Sequence, residues 1–241
     1  MQSATSCVSP FKLFYICLKI TNCSFNTVHN ADGWRQEITS TVKTLLKKAD
    51  VTSSTFETDH LGRIIVYTDG CCLNNNQVNN RRAGIGVYWG GNHALNLSLP
   101  VYDELLTSNR AEILAAHAAI ITAKEIECKQ LCLCTDSAYV VNGCTEWLYR
   151  WFANDWRRKA GAQVKNTDLW KPLRGDLMCV FTTFIKKTDD SAGVRQAHAL
   201  ANEGAAASCW ETQLCDARLL KKINSNDRLG MFTVLAVCCV A

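Results

Sequence analysis

Three carboxylates in this chain stand where a carboxylate can do chemistry. Asp69 closes the β-branched run "RIIVYTD", and Asp136 closes the apolar run "QLCLCTD". Glu112 lies early in the Ala-rich stretch "TSNRAEILAAHAAIITAKEI". Acids at strand ends of an α/β sheet lie where ligands usually bind. Each also has an ordinary explanation. A strand-end Asp commonly caps the turn that follows it, and Glu112 taken alone is a routine helix residue.

The elements that must hold these acids are legible in outline. "RIIVYTD" has the character of a buried strand, ending at Asp69. "AGIGVYWGG" and "HALNLSL" read as two more strands joined by a Gly–Asn turn. The Ala-rich stretch is the best helix, opened by Thr107 or Ser108 as N-cap. "QLCLCTD" is a fourth strand, and Ser137 to Trp151 is helical in pieces. "NTDLWKPLRGDL" begins like a helix, with Pro172 tolerable only in a first turn. "CVFTTFI" is a fifth strand and "VRQAHALANEGAAA" a closing helix. Three strands in meander followed by alternating helix and strand make a mixed sheet covered by helices. Three parts are expected: an N-terminal extension (1–60) with no recognised domain, an organised domain (61–207) and a C-terminal tail (208–241). In the first part Ile38, Val42, Leu45 and Leu46 fall on one face of a short helix.

The words around the acids are more specific than the acids. "YTDG", "TSNRAE" and "TDS", in this order and across these boundaries, closely resemble the three acidic motifs of type 1 ribonuclease H. "AGIGVYWG" resembles that family's second strand. "NGCTEWLYRWFANDWRRKAGAQVKN" resembles its basic protrusion and the turn that follows. The resemblance covers residues 61–207. It implies a ribonuclease H-like α/β fold: a mixed five-stranded sheet, three strands in antiparallel meander and then parallel strands, flanked by helices. It also implies an endoribonuclease that cuts the RNA strand of RNA–DNA hybrids by a two-metal-ion mechanism. In such a mechanism ions about 3.5–4 Å apart activate water and stabilise the leaving oxygen. Asp69 would bridge both ions, and Glu112 and Asp136 would hold one or both. The metal would be Mg²⁺, with Mn²⁺ able to substitute, because Mg²⁺ prefers carboxylate oxygen and keeps several waters. The backbone near Gly70 would approach the RNA.

The last quarter departs from the pattern. The family's closing helix carries a fourth carboxylate, and here His198 holds that position, with Val194 where an Asn is usual. The family's loop Gly–His pair corresponds to Lys187 and Thr188, and the strand's usual Trp to Thr182. His198 either serves as an imidazole ligand, which favours Mn²⁺, or marks a decayed site in a weak or inactive hybrid-binding protein, or is a helix residue with no role.

Basic residues interleave with aromatics from Trp147 to Lys159, a composition suited to phosphate backbones and to stacking. The competing reading is that the Trp rings fill a small helical core, with Trp156 among them. The resemblance implies a DNA-strand groove at Tyr139, Trp147 and Trp151, and a phosphate pocket at Thr107 and Asn166. Leu105 stands where eukaryotic members commonly place a basic residue. RNA-side contacts would come from Asn75, Asn109 and Ser108, with the 2′-OH as the group that marks RNA.

Composition sets only outer limits. The 241 residues are 48% hydrophobic and 20% charged, an ordinary globular balance, and a net charge of +4 permits a nucleic-acid partner without arguing for one. The 14 Cys are scattered, several within apparent strands, which points to a reduced, intracellular protein, nuclear or cytoplasmic, with a mitochondrial setting also open. A zinc site at Cys128, Cys132 and Cys134 lacks a second ligand pair. No run approaches the roughly 20 apolar residues of a membrane span. A monomer is expected. The basic and aromatic pattern of the small hybrid-binding domain carried by many eukaryotic members is not found in 1–60.

Overall fold

A computed structural model describes residues 31–48, 56–74, 81–103 and 105–214, and all that follows concerns those residues. In chain order they form α1 (Ala31–Lys48), β1 (Ile64–Leu73), β2 (Arg82–Tyr88), β3 (Leu97–Val101), α2 (Ser108–Glu125), β4 (Gln130–Thr135), α3 (Ala138–Asn142), a π-helical turn (Gly143–Trp147), α4 (Leu148–Ala153), α5 (Thr167–Leu177), β5 (Phe181–Lys186) and α6 (Ala192–Leu214). The five strands make one sheet in the order β3-β2-β1-β4-β5. The β1–β2 and β2–β3 pairs are antiparallel, and the β1–β4 and β4–β5 pairs are parallel. The expected mixed five-stranded architecture is thus the observed one.

Asp69 does not end its strand. β1 pairs with β4 only from Ile64↔Leu131 to Tyr67↔Cys134, but it pairs with β2 from Tyr67↔Tyr88 onward to Leu73↔Arg82. The second partner carries the strand past the acid. Asp69 therefore lies mid-strand, just beyond the point where β4 has parted from β1.

Side chains alternate across the sheet. Val66 and Thr68 are buried on one face, and Gly70 points the same way. A Cβ at Gly70 would overlap the Ala111 and Glu112 backbone, so this glycine lets α2 lie against the strand. On the other face Asp69 has Gly86 as its cross-strand partner, and a Cβ at Gly86 would overlap the Ala197 carbonyl of α6. Ala197, Ala201 and Ala205 are buried. Small residues on both sides of this seam let α6 approach the sheet closely, and that approach brings His198 to Asp69. Ile85, Ile113, Ile120, Leu131, Leu133, Trp170 and Leu173 are fully buried and form the core on the α2 side.

Three other expectations change. The β2–β3 connection occupies 89–96 rather than a tight Gly–Asn turn: Trp89 and Leu95 are buried within it, and Asn96 accepts from the Trp89 N–H at 2.7 Å and donates to the Gly90 carbonyl at 2.9 Å. Pro172 lies in the interior of α5. Its missing N–H and ring are costly there, but Trp170 and Leu173, both fully buried, anchor the helix on either side. The helix expected near Ile38 runs as α1. Trp34, Ile38 and Val42 are buried, whereas Leu45 and Leu46 are half-buried. α1 packs on α2 and α5 and belongs with the sheet to one compact unit bounded at Val28 and Glu211. No helix among the described residues is long and apolar enough to cross a membrane.

Candidate active site and nucleic-acid surface

β1, α2 and β4 bring the three expected acids to one end of the parallel part of the sheet. Asp69 is buried; Glu112 and Asp136 are half-buried. Thr107 is the N-cap of α2 and accepts from the Arg110 N–H at 3.3 Å, fixing the helix start that presents Glu112. Ser137 caps α3 and accepts from the Val140 N–H at 3.2 Å, which fixes the turn that carries Asp136. Burial, then the charges of Asp136 and Asp69, push the Glu112 carboxyl up to about 8. Burial and the Asp69 charge also raise Asp136, and Asp189 adds to that rise while His198 opposes it. Burial and neighbouring acids thus raise the proton affinity of Glu112 and Asp136, and the site is short of positive charge.

His198 joins them. Its Nδ1–H donates to Asp69 Oδ2 at 2.7 Å, from a side chain that is 60% exposed onto one that is 6% exposed. Asp189 is a group that sequence reading missed. The Lys187 N–H donates to the Thr135 carbonyl at 2.8 Å, tying the loop after β5 beside Asp136. Matching to the family's loop stopped at Lys187 and Thr188, so the next acid carried no signal. Among the described residues no three His, Cys, Asp or Glu side chains converge to hold an ion as they stand. That covers the zinc alternative too: Cys128, Cys132 and Cys134 are buried and carry no disulfide. The donor chemistry of this cluster, three carboxylates and an imidazole, fits a divalent cation.

The expected groove residues are neighbours. Tyr139 meets Trp147 edge-on with centroids 5.8 Å apart, Trp147 lies 5.6 Å from Trp151, and Trp151 lies 5.6 Å from Trp170. Tyr139, Trp147 and Trp151 are half-buried, so each ring both packs inward and shows a face. Trp156 is half-buried rather than core, in a left-handed conformation with φ 59° and with Lys171 over its ring. Arg150, Arg157, Arg158 and Lys159 are exposed beside them.

The expected phosphate-pocket residues also come together. Asn166 is left-handed, φ 57°, and ends the turn before α5. Its Oδ1 accepts from Arg110 Nη1 at 3.4 Å, and its Nδ2 donates to the Tyr139 hydroxyl at 3.2 Å. Arg110 is buried and forks between Asp103 and Asp168, at 2.5 and 2.6 Å from Nη2. This hub was missed because its partners lie in different segments. Leu105 is 65% exposed. Ser108 is half-buried and Asn109 exposed at the start of α2, and Gly70 is buried beneath them. Asn75 lies outside the described residues.

A family model described as RNase H matches residues 62–206. Ribonuclease H1 of Mus musculus is 40% identical over 149 residues, covering 60% of this chain and 51% of that protein. Ribonuclease H of Francisella tularensis subsp. novicida is 36% identical over 149 residues, covering 60% of this chain and 91% of that protein. Among solved structures, the foamy viral protease-reverse transcriptase in complex with RNA/DNA hybrid shares the fold at a TM-score of 0.50 and 23% identity, over 59% of this chain and 20% of that one. The chain spans about half the length of the mammalian relatives it matches.

Proposed function

This chain belongs to the ribonuclease H family, whose members depend on divalent metal, and on that premise we propose that it is an endoribonuclease that cuts the RNA strand of RNA–DNA hybrids. One observation carries the reading. Asp69, Glu112 and Asp136 are gathered at one end of the sheet, with Glu112 pushed up to about 8 by burial and by the other two charges. A structural acid in that position would have a cation or hydrogen-bond donors to relieve it. An acid surrounded by acids is suited to a cation that arrives with the substrate.

Asp69, Glu112, Asp136 and His198 would hold the metal. With Nδ1 on Asp69, Nε2 is the imidazole nitrogen left for that role. When bound, the metal supplies a Lewis acid that polarises the phosphodiester, lowers the pKa of water and stabilises the leaving oxygen. Mg²⁺ is the proposed physiological ion, since three of the four donors are carboxylates, and His198 shifts the balance toward Mn²⁺. The chain's remaining residues bind and orient. Tyr139, Trp147 and Trp151 offer ring faces to the DNA strand, Thr107 and Asn166 take a backbone phosphate, and Gly70, Ser108 and Asn109 lie on the RNA side; Asn75, outside the described residues, is a further proposed RNA contact.

The test is direct. Purified protein is incubated with a hybrid labelled separately in each strand, in Mg²⁺ and in Mn²⁺. Cutting confined to the RNA strand and lost with chelator is the expected result. An intact RNA strand in both metals, with the hybrid demonstrably bound, would leave a binding protein instead.

A further inference from the structure

Two cations on α5 are held by aromatic rings rather than by acids. The guanidinium carbon of Arg174 lies 3.6 Å from the centroid of the Phe152 ring, and Lys171 Nζ lies 5.7 Å from that of Trp156. Three residues apart, the two cations are neighbours on one face of the helix. The opposite face carries Trp170, Leu173 and Asp176, all buried. Among the described residues no hydrogen bond or ion pair engages the side chain of Lys171 or Arg174. A guanidinium stacked on a ring is fixed in plane and keeps its N–H edge for a ligand.

The rings come from one short stretch. α4 buries Leu148 and half-buries Trp151, and it leaves Tyr149 80% and Phe152 54% exposed. A cation–π contact at so exposed a place is worth little to the fold, and a tyrosine left in water gains nothing from burial. The turn that follows is strained. Asp155 and Trp156 are both left-handed, φ 47° and 59°, a costly conformation for residues other than Gly, and the turn carries the Trp156 ring to Lys171. Exposed rings, unpaired cations and a strained turn coincide here without a structural gain. The charge around them is positive: Arg150, Arg157, Arg158 and Lys159 are exposed, against Glu146 and Asp155.

We propose that this outward face of α4 and α5 binds single-stranded DNA, the unpaired continuation of the hybrid's DNA strand. The surface lies beyond the groove: the ring series Tyr139, Trp147, Trp151 ends at Trp151, and Phe152 is the next residue, on the exposed side of α4. The inference rests on the proposed course of the DNA strand along those three rings. Tyr149 offers its ring to an unpaired base, Phe152 backs the Arg174 guanidinium, and Arg174 and Lys171 take phosphates. Stacking rings set among cations hold a single strand without reading its sequence. An acidic peptide would engage the cations and leave Tyr149 without a role.

Binding is measured in the Asp69→Asn background, so that the RNA stays whole, with fluorescent hybrids that are blunt or carry an unpaired DNA extension at one end or the other. The extension at one of the two ends should tighten binding roughly fivefold or more, as one base stacked on an aromatic ring does. Lys171→Ala combined with Arg174→Ala should abolish that gain and lower the slope of log affinity against log salt for the extended probe by about 0.7 for each phosphate released. Blunt-hybrid affinity should stay at the parent value. Tyr149→Ala should lose the part of the gain that an abasic extension also lacks, and Arg174→Lys should keep the slope. Equal affinity of the parent for blunt and extended hybrids would overturn the proposal, and so would a gain that survives the double variant. If the parent binds no hybrid at all, the proposed function fails, and single-stranded DNA alone then decides: binding lost in the double variant upholds the surface, and no binding, or binding that the variant keeps, ends it. A polyglutamate peptide that binds in place of the DNA with the same dependence on Arg174 would make this an acidic-protein surface and overturn the proposal as well. Should the double variant melt lower than the parent, Lys171→Gln with Arg174→Gln keeps the stems and removes only the charges.

Discussion

Two acids, one packed against α2 and one within it, meet opposite surroundings. Asp176, on α5, is buried and receives Arg35 of α1 at 2.6 Å, His117 at 2.9 Å and Lys124 at 3.1 Å. Those hydrogen bonds and charges outweigh its burial and hold its carboxyl well below the usual range. Glu112, in the first turns of the same α2, has two other acids for company and is pushed up to about 8. Burial alone raises both. Asp176 has its cations supplied by the fold and ties three helices together. Glu112 does not, and in its charged form it raises the free energy of the folded chain. The contrast separates a carboxylate that builds structure from the one to which the proposed function assigns a metal.

Asp69→Asn breaks the functional side outright and carries the largest effect. It removes a charge without volume, so RNA cutting should fall by on the order of a thousandfold or more. Hybrid affinity and melting temperature should hold. Turnover equal to that of the parent would refute the metal-site assignment.

Asp176→Ala breaks the other side. It leaves His117 without its acceptor and strips Arg35 and Lys124 of their shared partner. Loss of one member of a buried ion pair costs roughly 3–5 kcal/mol. Arg35 and Lys124 are 42% and 38% exposed, so the low end, about 3 kcal/mol, is expected. The folded fraction should cut at the parent rate. The parent's acid sensitivity should change as well. The folded-state value of Asp176 lies below its unfolded one, so its contribution is present above the ordinary carboxylate range and fades as pH falls through the folded value. Denaturation curves for the variant should lack that component. A variant as stable as the parent would show that α1 is held by its apolar face of Trp34, Ile38 and Val42 alone.

These two clusters differ in how far the sequence discloses them. Asp69, Glu112 and Asp136 stand inside short words whose strand and helix boundaries are local, so their residues and their company were legible. Asp176 was not, because its partners lie at 35, 117 and 124 and only the packing of α1 and α5 on α2 joins them. The hub at Arg110 has the same cause: "TSNRAE" displays the arginine, but Asp103 and Asp168 belong to other segments. The continuation of β1 past Asp69 depends on β2, and the fate of Trp89 and Leu95 on a core that no local pattern specifies. Local chemistry can be read along the chain; ion pairs across helices need the fold.

The two histidines sharpen the comparison. His117 Nε2 and His198 Nδ1 each donate to an aspartate, at 2.9 and 2.7 Å. His117 is buried with Asp176, whereas His198 is 60% exposed over Asp69. The imidazole on Asp69 thus gives the functional cluster a little of what the structural cluster has in full. His198→Asp should remove that donor, restore a carboxylate and raise Mg²⁺-dependent cutting roughly tenfold in single turnovers, with less gain in Mn²⁺. Equal single-turnover rates in both metals would show that His198 does not act on the site.

Glu112→Gln tests the smallest difference, the cost of the unrelieved acid itself. Because its folded value of about 8 exceeds the unfolded value, the folded state keeps a proton that the unfolded state has released. Stability from this residue is therefore intact below the unfolded carboxylate range and lost progressively as pH rises toward 8. Glutamine preserves shape and carries no charge. In metal-free buffer near pH 8 the variant should melt higher than the parent, by roughly 2–4 °C for about 1 kcal/mol. Near pH 4 the two should coincide. Saturating divalent cation should narrow the gap at pH 8, since it binds the parent's charged site and stabilises it by mass action. The opposite pattern, a variant less stable at pH 8 and unaffected by metal, would place Glu112 with Asp176 among the acids that hold the fold together.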